Sequence, residues 1–249
     1  MQREQFDGAV VLVTGASSGI GAATARQFAD AGADVVLCAR GEERLSAVAE
    51  ECRNRRVEAL TVPTDITDPD AVGALVEATD EHFGRLDVVV ANAGIGEQSD
   101  VPLSELPDEQ FEQVTETNVH GAYYTTRAAA PLLRDGGGAI VYVGSFKGKY
   151  PSPSTPVYAA SKWWLRGFAA SMAGRLGPDG VGVTLVNPSG VTTEFGSQFR
   201  EQTNAQVLDE QTTIDAEDVA ESIRYAAAQE PPATVTELDL NRRDIFERF

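Results

Sequence analysis

Tyr158 and Lys162 stand four residues apart in Tyr158-Ala159-Ala160-Ser161-Lys162, inside a segment with helical spacing. That spacing sets both side chains on one helix face. A tyrosine hydroxyl with a pKa near ~10 is a poor proton donor and acceptor at neutral pH. A neighbouring ammonium favours the phenolate and lowers that pKa, which suits the pair to general acid–base work. Ser145, upstream at the end of an apolar run, can hydrogen-bond the same substrate oxygen. A Tyr-x-x-x-Lys pair alone also describes one face of an ordinary amphipathic helix, so its chemistry depends on what the fold brings beside it.

A second constellation handles phosphates. Thr14-Gly15-Ala16-Ser17-Ser18-Gly19-Ile20-Gly21 joins an apolar run to a helical one. Gly15 permits a tight turn, Gly19 removes a side chain where a pyrophosphate approaches the backbone, and Gly21 allows close helix–strand packing. The helix start, with Ser18 and Ile20 among its backbone groups, offers unpaired N–H groups and a partial positive charge. Ala39-Arg40 ends the next apolar run, where an acidic residue would hold the ribose hydroxyls of NAD. A guanidinium there can clamp the 2′-phosphate of NADP, with Ser17 as a further donor. Glu42 and Glu43 temper that potential. The expected cofactor is NADP(H), with NAD(H) as the alternative.

These residues need a frame. Strand-like runs recur at Ala9–Thr14, Asp34–Ala39, Val57–Val62, Leu86–Ala91, Ala139–Gly144, Val181–Val186 and Thr234–Leu240. Helical stretches alternate with them at Gly19–Ala31, Pro69–Phe83, Asp108–Leu133, Val157–Leu176 and Ala216–Ala228. Alternation of this kind predicts βαβ units: an α/β, three-layer, doubly wound Rossmann fold of about seven parallel strands with helices on both faces. No linker divides residues 1–249, so one domain is expected. Ligands in such sheets bind beyond the carboxyl ends of the strands. Gly15, Arg40, Asp65, Asn92-Ala93-Gly94, Ser145 and Asn187-Pro188 all fall there.

The glycine turn, Asn92-Ala93-Gly94, Asn118, Ser145, Tyr158-x-x-x-Lys162 and Asn187-Pro188 together resemble the short-chain dehydrogenase/reductase family, over about Val10 to Thr193. The resemblance implies a nicotinamide-dependent oxidoreductase exchanging hydride with a small-molecule carbonyl or secondary alcohol. It implies that Tyr158 is the acid–base, that Ser145 positions the reacting oxygen, and that Lys162 contacts the nicotinamide ribose while lowering the Tyr158 pKa. Asn118 would hold a water relaying protons from Lys162. Asp65 would bind the adenine, Asn92 and Gly94 would line the adenosine ribose region, and Val191 and Thr193 would hold the carboxamide. Ile66, Ala93, Pro188 and Ser189 complete the implied cofactor contacts. A homodimer or homotetramer is implied, with Asp108–Leu133 and Val157–Leu176 packing across a two-fold axis. Three departures stand out: Ala91-Asn92 for the usual Asn-Asn, Pro188-Ser189 for Pro-Gly, and no basic residue in the glycine turn. Two other readings share the pattern. A non-catalytic dinucleotide-binding sensor would not need the proton-handling residues, and epimerase or dehydratase relatives usually carry a longer C-terminal region.

Composition narrows the field. The 249 residues carry 38 acidic and 20 basic side chains, a net charge of −18. Such a surface disfavours nucleic acid and anionic membranes. Only Lys147, Lys149 and Lys162 are lysines among the basic residues. Arginine bias fits a GC-rich genome, whereas the acidic excess fits a high-salt cytoplasm, where screening tolerates self-repulsion. The second account predicts an unfolding temperature that rises in molar KCl; a flat or falling one would leave codon bias. No apolar run reaches the ~18 residues of a membrane-spanning helix, and Met1–Gly8 is polar, so a soluble cytoplasmic protein is expected. Cys38 and Cys52 make no disulfide framework, and His82 and His120 are too isolated for a metal site, so no metal is expected. Trp163 and Trp164 are expected in the core or against a second subunit. The substrate wall is expected from Phe146–Val157 and a lid-like loop at about 194–214.

Overall fold

Val, Leu, Ile and Ala runs long enough for one strand, covered on both faces, dictate the centre of the molecule. In the computed structural model, which describes residues 6–208 and 213–248, they form β1 (Val10–Thr14), β2 (Asp34–Ala39), β3 (Ala59–Pro63), β4 (Val88–Ala91), β5 (Ala139–Val143), β6 (Gly182–Pro188) and β7 (Glu237–Leu240). All seven pair in parallel in the order β3-β2-β1-β4-β5-β6-β7. The helices are α1 (Gly19–Asp30), α2 (Glu42–Arg53), α3 (Pro69–Phe83), α4 (Asp108–Thr115), α5 (Ala122–Gly136), α6 (Pro156–Leu176), α7 (Asn204–Val207) and α8 (Ala216–Ala227). The expected three-layer Rossmann architecture is present.

Strand alternation builds the two halves of the core. Val11 and Val13 of β1 face one side, with Phe28 of α1 and Val219 and Ile223 of α8. Val10 and Leu12 face the other, with Leu75 of α3, Leu133 of α5 and Leu165 of α6. Each fully buried Val or Leu contributes ~1.5–3 kcal/mol, so both layers are locked onto the sheet. Strand order reverses between β1 and β4, which opens a crevice at their carboxyl ends. No helix among the described residues is long and apolar enough to cross a membrane.

The largest departure from the sequence pattern lies in the expected Asp108–Leu133 helix. It is interrupted by a π-helical turn at Glu116–Gly121, and α5 runs on to Gly136, closed by Gly137 in the left-handed region. A π turn inserts one residue into the helical count without disturbing the apolar period on either side. Two contacts hold it. Asn118 turns inward to bond the Ile95 peptide, and Gly121 presses on Ile66, where an added Cβ would lie 2.5 Å from the isoleucine Cδ1. Smaller shifts occur at strand ends: β3 starts at Ala59, β6 continues to Pro188, and β7 begins at Glu237.

Candidate active site

The crevice is a cavity of about 640 Å³. Its floor is the glycine turn. Gly15 has φ +66, and a Cβ on it would lie 2.9 Å from Ala93 Cα; one on Gly21 would collide with the Gly15 carbonyl. Only glycine fits either place. Ser18 caps α1 without a side-chain hydrogen bond, so the first-turn amides face the cavity unclaimed. The Thr14 hydroxyl accepts from the Asn92 and Ala93 amides at 3.0 and 3.1 Å, and the Asn92 side-chain amide donates to the Thr14 carbonyl at 2.8 Å. These bonds tie the loop after β4 to the loop after β1. The result is an anion cradle with backbone close on every side, which fits a dinucleotide pyrophosphate.

Every cofactor-site residue expected from the sequence lines this cavity except Gly21: Gly15, Ser17, Ser18, Gly19, Ile20, Arg40, Asp65, Ile66, Asn92, Ala93, Gly94, Tyr158, Lys162, Pro188, Ser189, Val191 and Thr193. Gly21 acts through the turn itself. Arg40 is exposed at the rim, and no partner holds its guanidinium among the described residues. Asp65 accepts from the Thr67 amide and hydroxyl, which orients its carboxylate. The Thr193 methyl rests on Gly19. Ser189, where a glycine is usual, uses its hydroxyl to accept from the Arg242 amide at 2.9 Å, so that departure anchors the C-terminal segment.

At the other end stand Ser145, Tyr158 and Lys162. Ser145, just past the end of β5, opens a short 3₁₀ turn over Phe146–Gly148, its hydroxyl accepting from the Lys147 amide. Gly148 lets that turn press on α6, for a Cβ there would lie 2.9 Å from the Lys162 carbonyl. The Ser145 hydroxyl lies close enough to the Tyr158 phenol to lower its pKa. Burial pushes the Tyr158 phenol above the ordinary tyrosine range; the Ser145 hydroxyl and the Arg200 guanidinium pull it back, and Glu97 adds to the rise. Lys162 donates to the Val143 carbonyl at 2.7 Å and lies 5.7 Å from the Tyr158 ring centre. Burial lowers its pKa to about 8. The expected lowering of the Tyr158 pKa by Lys162 is therefore not the governing influence here. Burial dominates, and the ammonium is held by a carbonyl.

Asn118 is buried behind Ile95 and does not line the cavity. Its amide oxygen accepts from Ile95 N at 2.9 Å, and its nitrogen donates to Ile95 O at 2.8 Å and Ser161 Oγ at 2.9 Å. The side chain is fully engaged.

Several residues escaped the sequence reading. Glu97 is 1% exposed; its carboxylate accepts from the Val157 and Tyr158 amides at 2.8 and 2.9 Å. It caps α6 from sixty residues away, because Thr155 gives no side-chain cap. A carboxylate at a helix N-terminus is favourable, and this one fixes the backbone of Tyr158. Changing Glu97→Gln turns an amide NH₂ toward one of those N–H groups. The expected cost is roughly 1–3 kcal/mol, a Tm lower by several degrees, and a larger fall in kcat than in dinucleotide affinity. An unchanged Tm and kcat would remove Glu97 from this role. Lys147, Arg200, Phe195 and Arg44 also line the cavity. Arg44 pairs with Glu194 at 2.8 Å, joining α2 to the loop after β6. Lys147 carried a signal, as one of three lysines in an arginine-rich chain; Glu97 and Arg200 carried none.

The remaining singled-out residues do not line the cavity. His82 contacts Glu58 at 3.0 Å and packs on Phe83, and His120 packs on Tyr124. Burial pushes the Cys38 and Cys52 thiols up to about 12 and 11. Trp163 and Trp164 are outside the core, 46% and 37% exposed, with Trp164 stacked on Phe168.

Residues 9–204 match the family model described as short chain dehydrogenase. Sulfoacetaldehyde reductase 2 of Chromohalobacter salexigens is 37% identical over 236 residues, covering 93% of this chain and 93% of that protein. The alcohol dehydrogenase of the archaeon Thermococcus sibiricus, complexed with 5-hydroxy-NADP, superposes with a TM-score of 0.84 at 30% identity, over 93% of this chain and 95% of that one. The 3-ketoacyl-(acyl-carrier-protein) reductase of Brucella melitensis, complexed with NADH, gives a TM-score of 0.84 at 30% identity, over 95% and 98%.

Proposed function

The chain belongs to the short-chain dehydrogenase family, and from that premise we propose an NADP(H)-preferring oxidoreductase acting on a small carbonyl compound or secondary alcohol. NAD(H) is the weaker cofactor in this reading, and Tyr158 is the proton donor and acceptor. One observation carries it: Ser145, Tyr158 and Lys162 line the same cavity as the glycine cradle.

Bound in that cavity, the nicotinamide dinucleotide supplies or accepts the hydride. The first-turn amides of α1 and Ser18 would hold its phosphates, and Ser17 and Arg40, which line the same cavity, would meet a 2′-phosphate. Among the residues lining the cavity, Asp65, Ile66, Asn92, Ala93 and Gly94 would flank the adenosine, Pro188, Ser189, Val191 and Thr193 would flank the nicotinamide, and Lys162 would contact its ribose. Ser145 hydrogen-bonds the reacting oxygen, and Tyr158 gives it a proton in reduction or takes one in oxidation. Because the Asn118 amide is engaged by Ile95 and Ser161, a relay passing it would use its backbone carbonyl. Exposed Phe111, Tyr123, Trp163 and Trp164 on α4, α5 and α6 support a homodimer or homotetramer, for which the mass by light scattering is the check.

The relatives' names run from sulfoacetaldehyde to a ketoacyl carrier protein, so the family alone does not choose the substrate. A panel of aldehydes, ketones and alcohols with NADPH or NADH, followed at the nicotinamide absorbance band, tests the proposal. Turnover that is faster with NADPH supports it. Tight dinucleotide binding with no turnover across the panel would hand the site to a non-catalytic sensor.

A further inference from the structure

Two cationic side chains line the cavity near its catalytic residues in a protein of net charge −18. Lys147 and Arg200 both line it beside Tyr158. Two carboxylates act on this pair: Asp100 on Lys147, and Glu97 on both Lys147 and Arg200, while Glu97 also accepts the Val157 and Tyr158 amides. Lys147 is steadied by donating to the buried Thr155 hydroxyl at 2.7 Å.

Arg200 feels the charge of Glu97 but makes no salt bridge with it among the described residues. Its Nε donates to the Glu97 carbonyl at 3.0 Å, and its guanidinium lies over the Phe195 ring at 5.3 Å. Two glycines make room for it. A Cβ on Gly96 would lie 2.8 Å from Nη2, and one on Gly196, at φ +101, would lie 2.9 Å from Cδ. Among the described residues, neither Nη group makes a hydrogen bond or ion pair, so the bidentate edge of a half-buried guanidinium has no protein partner. The same Phe195 ring packs on Tyr158, with centres 5.3 Å apart. A prearranged, desolvated fork with an open edge is the arrangement that recognises a planar or trigonal oxyanion.

We propose that Arg200, supported by Lys147, seats a carboxylate or sulfonate on the substrate, so that the enzyme works on small anionic aldehydes, ketones or their alcohols. Phe195 packs on both the Arg200 guanidinium and the Tyr158 ring, which suits an anionic group and a reacting carbonyl carried on one short molecule. This assignment rests on the oxidoreductase reading above and narrows it.

The test compares 4-oxobutanoate and 5-oxopentanoate with their neutral methyl esters, and with 3-oxopropane-1-sulfonate to separate carboxylate from sulfonate. The expected wild-type preference in kcat/KM for anion over ester is roughly ten- to a hundredfold, arising mainly in KM. In Arg200→Gln the anion-to-ester ratio falls toward one; Arg200→Lys and Lys147→Gln keep part of it. Butanoate and propane-1-sulfonate, set against butanamide in thermal shift, read anion binding without turnover. Equal kcat/KM for acids and esters in the wild type, or a preference that survives Arg200→Gln, overturns the proposal while the oxidoreductase reading stands. If neither these aldehydes nor the wider panel of ketones and alcohols is turned over with either nucleotide, that reading falls. Thermal shift then decides the anion seat: anion stabilisation lost in Arg200→Gln upholds it, and no stabilisation rejects it.

Discussion

Tyr158→Phe lowers kcat by about 10²–10⁴-fold, the usual contribution of a positioned acid–base, and leaves dinucleotide affinity within about twofold. The change removes one oxygen and little else. The ring still packs on Phe195 and still lies under the Lys162 ammonium. Loss of kcat with dinucleotide affinity kept marks an interaction made in the transition state. Direction follows from the protonation state. Because burial raises the phenol's pKa, the protonated form predominates at neutral pH. Reduction, which needs that proton, should therefore hold through neutrality and fall at alkaline pH, while oxidation, which needs the phenolate, should climb with pH. Stopped-flow and steady-state rates for both directions provide the measurement. A Phe variant with near-wild-type kcat would dismiss Tyr158 as the proton carrier.

Legibility in the sequence depends on the kind of residue involved. Most strands announced themselves because they are largely apolar and are followed by polar or turn-forming residues, as at Thr14-Gly15 and Ala39-Arg40; β7, Glu237–Leu240, alternates acidic with apolar residues instead. The Tyr158–Lys162 pair was legible because a helix converts spacing into direction. The π turn at Glu116–Gly121 was not legible, since the bonds that widen it run to Ile95, far along the chain. Glu97 was hidden for the same reason: its partners are the Val157 and Tyr158 amides, and a helix cap supplied from another loop leaves no local motif. Arg200 looked like one more arginine in a polar stretch. Only the fold reveals that Gly96 and Gly196 clear space around it. Within the loop expected at about 194–214, residues 209–212 lie outside the described structure; the preceding part carries α7 and the Phe195–Arg200 stack.

Cofactor choice should reverse in the double variant Ala39→Asp with Arg40→Ile. Ala39 ends β2, half-buried at the cavity wall, and provides no carboxylate to grip ribose hydroxyls or repel a phosphate. Arg40 follows it with a guanidinium that nothing in the described structure engages, so it meets a 2′-phosphate without first breaking an ion pair. A charge-assisted hydrogen bond contributes ~1.5–3 kcal/mol, which is roughly ten- to a hundredfold in affinity. Arg40 is exposed, and screening favours the lower end of that range. Glu42 and Glu43, in the first turn of α2, oppose it as solvated charges. Arg44 lines the same cavity but is paired with Glu194. Arg40→Ile alone should therefore erode the NADPH preference, and the carboxylate introduced by Ala39→Asp should invert it. Fluorescence titration with NADPH and NADH reads both steps. Tighter NADH binding by the unmodified protein, or an order left unchanged in the double variant, would reduce Arg40 to a surface arginine and return the cofactor choice to the cradle alone.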